Sequence, residues 1–96
     1  MKTVVKYELL PNRIQTVSIP FGGQILSVQT KGDNAPLIWV LVDPEMPPQE
    51  RTLGVYTTNT AVPDDPGRYI GTFFLYDGTL EFHLFEMSGQ PSEEAE

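Results

Sequence analysis

The sequence predicts an all-β fold, a compact antiparallel β-sandwich or small barrel of about seven strands. Three observations support this prediction. Short segments alternate apolar and polar residues, which is the period of a strand with one buried face. Turn signals rich in proline and glycine separate these segments. No segment carries a helical period with caps, so no helix longer than about two turns is expected.

The clearest element is a hairpin near the end of the chain, joined by Asp77-Gly78. A two-residue type I′ turn requires positive φ at both central residues, and Asp-Gly adopts this conformation at low cost. After the turn, Leu80, Phe82 and Leu84 alternate with more polar residues, which predicts one buried face. Before the turn, the segment 69–76 is rich in aromatic and β-branched residues and has no polar face. We therefore expect it to be a central strand, covered on both sides.

Five further strands are predicted before this hairpin, at 3–9, 13–19, 24–30, 36–42 and 51–57. The strand at 36–42 contains an unbroken apolar run, so both of its faces are expected to be covered. A loop is expected at 43–48, because its prolines fix φ and remove backbone donors. The segment 47–50 could hold a single helical turn.

Length and composition indicate one small domain. A chain of 96 residues with 40% hydrophobic content can bury a modest core. We assign 1–87 to a single β domain, whereas 88–96 is acidic, lacks an apolar anchor and is expected to be a disordered tail. The absence of cysteine excludes disulfides and thiolate metal sites. No apolar run approaches the roughly 20 residues of a membrane-spanning helix, so we expect a soluble, intracellular protein that does not bind membranes.

The chain is acidic, with a net charge of −7. Its six basic residues are scattered along the sequence. Because sequence-independent nucleic-acid binding requires clusters of basic residues, direct nucleic-acid binding is not expected. Solubility accounts for the acid excess, although acids gathered on one face would suit a mimic of DNA.

Few residues could support catalysis or bind a metal. His83 is the only histidine and lies mid-strand among apolar residues, so a structural or solvent-facing role is favoured over general-base catalysis. The carboxylate pair Asp64-Asp65 is typical of a turn as well as of cation binding. One histidine without cysteine does not make a zinc site. The Gly22-Gly23 segment lacks the lysine and the helix of a phosphate-binding loop. We therefore expect no enzymatic activity, no metal and no cofactor.

The candidate binding residues are Arg51, Tyr56, Asp64, Asp65 and Arg68. The two arginines could hold an anionic ligand, because the guanidinium fork matches phosphate and carboxylate groups. An exposed Tyr56 would add apolar area with a polar tip. The loop 63–68 contains two prolines and would lose little entropy on binding. The same residues also suit a rigid turn with no binding role.

Four segments carry a resemblance to a known family: 6–9, 25–29, 39–44 and above all 63–73, whose sequence is Pro-Asp-Asp-Pro-Gly-Arg-Tyr-Ile-Gly-Thr-Phe. Over residues 1–86 the chain resembles small uncharacterised domains encoded mainly in bacteriophage and prophage genomes. The resemblance implies a small accessory phage protein that acts in the cytoplasm of a bacterial host. It supplies no catalytic residues that could be transferred to this chain.

These observations predict a non-enzymatic phage binding protein that counters a bacterial defence. It would sequester a small anionic signalling molecule or mask a host protein. A homo-oligomer would suit a ligand binder, because small domains often build pockets between subunits. The alternatives are an acidic DNA-mimic inhibitor of a host nucleic-acid-binding protein, a minor virion component, and a small enzyme built around Asp64, Asp65 and His83.

Overall fold

A computed structural model of the protein describes residues 1–11, 14–31 and 35–87. Seven antiparallel strands form two sheets, and these described ranges contain no helix. The strands are β1 (Thr3–Glu8), β2 (Ile14–Pro20), β3 (Gln24–Lys31), β4 (Ala35–Val42), β5 (Pro48–Thr57), β6 (Arg68–Leu75) and β7 (Leu80–Glu86). The predicted all-β sandwich is confirmed. The predicted tail at 88–96 lies outside the described residues.

The two sheets face each other and share one core. The three-stranded sheet has the order β1-β4-β3, and the four-stranded sheet has the order β2-β5-β7-β6. Alternate residues of each strand point into the core, whose buried members include Ile19, Ile25, Val28, Ile38, Val40, Val42, Leu53, Val55, Phe73, Leu75, Phe82 and Leu84. Phe73 and Phe82 are cross-strand partners, and their rings stack with centroids 5.3 Å apart. Removal of this apolar surface from water is the main force that holds the sheets together.

The alternation expected of short segments is present in the first two strands. In β1, Val5 and Tyr7 pack against the core, and in β2 Val17 and Ile19 do so, whereas the residues between them are exposed. The hairpin is present, and Asp77 and Gly78 have the predicted positive φ, 57° and 86°. Its loop is longer than the predicted two residues, because the last pair of the ladder is Leu75 with Leu80 and Tyr76 also has positive φ, 55°.

Three local predictions are wrong. The segment 69–76 is predicted to be a central strand, but β6 is the edge of its sheet. The outer face of β4 is predicted to be covered along its length, yet Trp39 and Leu41 are only partly buried there, whereas Leu37 on the same face is buried. The segment 47–50 contains no helical turn, because β5 begins at Pro48, paired with Pro20 at the end of β2. Proline is tolerated at the first position of a strand.

One side of the sandwich is closed by its two irregular edge strands. The ladder of β3 shifts register between Ile25 and Ser27, and that of β6 shifts between Tyr69 and Gly71. β-Bulges of this kind bend and twist an edge strand. The two strands approach so closely that a Cβ added to Gly71 would lie 2.9 Å from Cγ1 of Val28. Ile70, at the second bulge, packs against the core.

Candidate functional site

An open cleft lies where the turn between β2 and β3 meets the first half of β5, the start of β6 and the end of β7. Its volume is about 420 Å³, which is within the range of small-molecule sites. The lining residues are Phe21, Gly22, Gly23, Gln49, Arg51, Arg68, Glu86 and Met87. The cleft therefore contains two guanidinium groups and one carboxylate beside apolar side chains.

Arg51 forms the buried part of the cleft. It has the same strand phase as Leu53 and Val55, so its side chain turns toward the interior and only 9% of the residue is exposed. Its Nε and Nη2 donate to the two carboxylate oxygens of Glu86, the latter over 3.1 Å, and Nη1 donates to the Gly23 carbonyl over 2.9 Å. A buried charge requires such compensation, because it has lost its hydration. Arg51 is thus neutralised by one carboxylate.

Glu86 lies between the two arginines because of strand register. It pairs with Leu53 of β5 on one side and with Arg68 of β6 on the other. Nη2 of Arg68 is 3.6 Å from Oε1 of Glu86, and 58% of the Arg68 side chain is exposed. Within the described ranges this is the only polar contact of the Arg68 guanidinium. One carboxylate faces two guanidinium groups, so these three side chains together carry one positive charge. The Arg68 guanidinium has more N–H donors than this one contact uses.

The turn from Pro20 to Gly23 forms the opposite wall. The Gly23 N–H donates to the Pro20 carbonyl over 3.0 Å, and Gly22 has φ of 83°. This is the pattern of a type II turn, which needs glycine at its third position. Phe21 occupies the second position and exposes 53% of its surface. A Cβ on Gly23 would lie 2.6 Å from a core side chain, so the carbonyl that Arg51 requires depends on glycine at this position.

Gly67 brings Arg68 to the cleft. Its φ is 100°, which favours glycine. A Cβ at this position would lie 2.6 Å from Cα of Met87 and closer still to the Glu86 carbonyl oxygen. The end of the loop 58–67 is therefore seated against the end of β7, and the residue that follows it faces Glu86.

The structure brings together two of the five predicted binding residues. Arg51 and Arg68 line one cleft although they are 17 positions apart in the sequence. Asp64 and Asp65 are exposed on the loop that leads to β6 and do not line the cleft. Tyr56 has the opposite strand phase from Arg51 and lies on the outer face of the four-stranded sheet, where it is 9% exposed.

The sequence interpretation missed Glu86, Phe21, Gln49 and Met87. A signal for Glu86 is present, since the alternation of Phe82 and Leu84 continues onto it and places a carboxylate on the buried face. The same reasoning places Arg51 on the face of Leu53. An arginine and a glutamate on buried strand faces suggest an ion pair. The strand order that brings the two residues together cannot be deduced from the alternation.

The described residues include no group of three or more His, Cys, Asp or Glu side chains placed to hold a metal ion. In the same part of the chain, no helix has the length and apolar character needed to span a membrane. The cleft itself offers guanidinium donors, the Gln49 amide and an apolar wall. This combination suits an anion that carries an apolar part.

The chain matches a family described as a domain of unknown function, DUF7352, over residues 1–95. The protein therefore belongs to this family. A search of curated proteins and a search of solved structures each find no match to the chain. The matched span includes the seven described strands and the described residues that line the cleft.

Proposed function

We propose that this protein is a non-enzymatic binding module that holds a small anionic molecule in the cleft between the β2–β3 turn and Arg68. One observation carries the proposal. Among the residues that the structure describes, the cleft contains two arginines and one carboxylate, which neutralises the buried Arg51 and leaves the exposed guanidinium of Arg68 in excess. A positive group at a concave site of a chain with net charge −7 is a local exception to the charge of the molecule.

The ligand is best described as a compound with a phosphate or carboxylate group and an apolar portion. Arg68 presents a planar fork of N–H donors, which matches these groups in bidentate geometry. Phe21 and Met87 line the same cleft and would contact the apolar portion. The volume of about 420 Å³ accommodates a molecule of metabolite size.

The chemistry of the cleft favours binding over catalysis. General-base catalysis requires a group that is free to accept a proton near the reacting atom. Glu86 is the sole carboxylate among the described lining residues, and both of its oxygens accept hydrogen bonds from Arg51. The remaining lining side chains are arginine, glutamine, methionine and phenylalanine, which supply donors and apolar contacts.

The resemblance to phage-encoded domains suggests the biological setting of this proposal. In a bacterial host, such a module would sequester a small anionic signalling molecule of a defence system. Sequestration needs no reaction, only an affinity that lowers the free concentration of the signal. A homo-oligomer would serve this role if a second subunit covered the open side of the cleft.

Isothermal titration calorimetry with inorganic pyrophosphate tests the anion site. We expect binding by the unmodified chain and an affinity at least about tenfold lower for Arg68→Ala, because a charge-assisted bidentate contact is lost. Arg68→Lys should retain part of the affinity, since the charge remains but the fork does not. Lys31→Ala is the matched control, because Lys31 is exposed at the end of β3 and does not line the cleft.

Equal affinities of the unmodified chain and Arg68→Ala would contradict the proposal, as would equal losses in Arg68→Ala and Lys31→Ala. Absence of binding for pyrophosphate, phosphate, citrate and adenosine monophosphate alike would also contradict it. Circular dichroism of each variant confirms that the fold is retained.

A further inference from the structure

The outer face of the four-stranded sheet carries an arrangement that the anion cleft does not use. Three aromatic rings, Tyr56, Phe85 and Tyr69, cross β5, β7 and β6 and are named here the aromatic strip. The Tyr56 and Phe85 rings meet edge to face with centroids 6.1 Å apart, and those of Phe85 and Tyr69 are 5.5 Å apart. Tyr69 is 53% exposed although its neighbour Tyr56 is buried. The strip therefore ends in solvent at the edge of the sheet.

Beside this strip, five polar side chains form a continuous series of hydrogen bonds, named here the hydroxyl chain. It runs from Tyr69 to Thr72 over 2.6 Å, to Nδ1 of His83 over 3.0 Å, and from Nε2 of His83 to Thr58 over 2.7 Å. Thr58 then donates to Glu81 over 2.9 Å. The series extends across β6 and β7 to the residue that follows β5.

The hydroxyl chain has a fixed direction when His83 is neutral. An ionised carboxylate only accepts, so the Thr58 proton goes to Glu81 and the Thr58 oxygen accepts from Nε2–H of His83. Nδ1 then accepts from Thr72, whose oxygen accepts from Tyr69. Every hydroxyl proton of the chain is used internally. What remains for a partner is acceptor capacity, at the Tyr69 oxygen and at the Glu81 carboxylate.

A hollow of about 240 Å³ adjoins the Glu81 end of this chain, lined by Thr57, Thr58, Asn59, Thr79, Leu80 and Glu81. Two hydroxyl protons beside the hollow, those of Thr57 and its neighbour Thr60, are also used within the protein. Thr57 donates to the Thr60 hydroxyl over 3.2 Å, and Thr60 donates to the Thr57 carbonyl over 2.6 Å. Within the described part of the chain, the only charged residue that lines the hollow is Glu81. A hollow whose charge comes from one carboxylate is suited to a cation.

Charge and exposure on the rest of the face agree with this interpretation. The charged residues on the outer phases of its described strands are Glu50 and Glu81, and none of those positions is lysine or arginine. Phe74 is the cross-strand neighbour of Glu81 and is 49% exposed. A guanidinium or ammonium group beside Glu81 would therefore also lie near an aromatic ring, which attracts cations through its face.

We infer that the outer face of the four-stranded sheet docks a basic segment of a partner protein, with an arginine or lysine head group in the hollow beside Glu81. Phe74 contacts the stem of that side chain, and Tyr69, at the other end of β6, contacts a neighbouring residue of the segment, in the manner of aromatic residues that dominate protein interfaces. Charge complementarity selects this occupant, because an acidic chain attracts a basic surface and repels an acidic one. This surface is distinct from the anion cleft, so the docking site and the anion site can be tested independently.

Binding of a fluorescein-labelled hexa-arginine peptide, measured by fluorescence anisotropy, tests this inference. The peptide should bind the unmodified chain, and its hexa-citrulline analogue, which has nearly the same shape without charge, should not. Glu81→Gln should weaken binding by about tenfold, since the amide keeps the contact with Thr58 but loses the charge. Phe74→Ala should weaken it by about fivefold through loss of the ring. Glu45→Gln, at an exposed acid in the loop between β4 and β5, is the matched control and should change the affinity less than about twofold.

General attraction between a basic peptide and an acidic protein would weaken binding equally in Glu81→Gln and Glu45→Gln, and that result would overturn the inference. Failure of the peptide to bind would do the same. In nuclear magnetic resonance spectra, the peptide should shift amides near Thr58 and Glu81. Shifts confined to the cleft around Phe21 and Arg68 would contradict the assignment of the site.

Discussion

The contact between Arg51 and Glu86 has a cost as well as a benefit. Both residues are less than 10% exposed, so both charges have lost most of their hydration. Their attraction offsets this loss only where the geometry is good and the other donors are satisfied. Here the pair is bidentate and the third contact of Arg51 reaches the Gly23 carbonyl. We infer that the ion pair arranges the side chains of the cleft and contributes little to the free energy of unfolding.

This view predicts a particular pattern of stabilities. Glu86→Gln should lower the free energy of unfolding by about 3 kcal/mol, because it leaves the Arg51 charge buried without compensation. The double variant Arg51→Met with Glu86→Leu should be within about 1 kcal/mol of the unmodified chain, or more stable, because it buries no charge. Urea unfolding measures both. A double variant that loses as much stability as Glu86→Gln would show that the ion pair itself stabilises the fold.

Gly67 provides a second test at the level of single residues. Gly67→Ala should lower the free energy of unfolding by well over about 2 kcal/mol, because backbone strain at positive φ adds to a clash with the end of β7. Gly78→Ala is the matched control, since its φ is 86° and a Cβ there meets nothing within 4 Å. Gly78→Ala should lower the free energy of unfolding by the backbone strain alone, about 1–2 kcal/mol. Equal losses in the two variants, measured by thermal unfolding, would remove the steric argument for the position of Arg68.

Part of the cleft could be predicted from single residues and part could not. The alternation around Leu53 and Phe82 is enough to place Arg51 and Glu86 on buried faces. Their contact depends on the pairing of β5 with β7, whose paired residues lie about 30 positions apart. The face of a strand on which a residue lies can be deduced from its neighbours in the sequence. The contact between Arg51 and Glu86 cannot, because the two residues are 35 positions apart.

At the scale of elements, β6 shows why an apolar run is an ambiguous signal. Its outer face carries Tyr69 and Phe74, which are about half exposed, and its inner face carries Phe73 and Leu75, which are buried. A sequence pattern cannot distinguish aromatic residues on an exposed face from aromatic residues that fill a core. The run therefore predicts a central strand, whereas β6 lies at the edge of the sheet.

Hydrogen exchange should report the edge position of β6. An edge strand bonds to one neighbour only, so alternate amides of β6 should exchange much faster than those of β7, which lies between β5 and β6. Exchange followed residue by residue by nuclear magnetic resonance measures this difference. Uniform protection along β6, equal to that of β7, would show that another strand or a second copy of the chain covers the edge.

The strands themselves were predictable to within a few residues. The observed bounds of β1, β3 and β4 differ from the predicted ones by a single position at one end. Alternation and turn residues decide such bounds locally. β5 begins three residues earlier than predicted, at Pro48, because its pairing with Pro20 extends a strand through a segment that has the composition of a loop. Sheet order was beyond prediction, because it depends on contacts between distant segments.

At the scale of the whole molecule, the two sheets share one apolar core and should unfold together. Leu84→Ala in the four-stranded sheet should lower the free energy of unfolding by about 2–5 kcal/mol through lost burial and a residual cavity. Trp39 is the sole tryptophan and lies in the three-stranded sheet, so its fluorescence reports on the sheet that is not mutated. Its transition should coincide with that seen by far-ultraviolet circular dichroism. Separate transitions would contradict a single cooperative core.

The distribution of charge also belongs to the whole molecule. A net charge of −7 opposes the approach of any anion at long range, whereas the cleft concentrates a surplus positive charge at Arg68. Interactions between exposed charges are screened beyond about 8–10 Å at physiological ionic strength, so local groups decide whether an anion binds. Anion binding by the cleft is therefore a local property that can be tested at named residues.

The most direct test is a titration of the ¹⁵N-labelled protein with inorganic pyrophosphate, followed by nuclear magnetic resonance. We predict that the amides of Gly22, Gly23 and Arg68 shift in a saturable manner, that those of His83 and Glu81 on the outer face do not, and that Arg68→Ala abolishes the shifts. Shifts that are absent, that cluster outside the cleft, or that persist unchanged in Arg68→Ala would contradict the assignment of the cleft as an anion site.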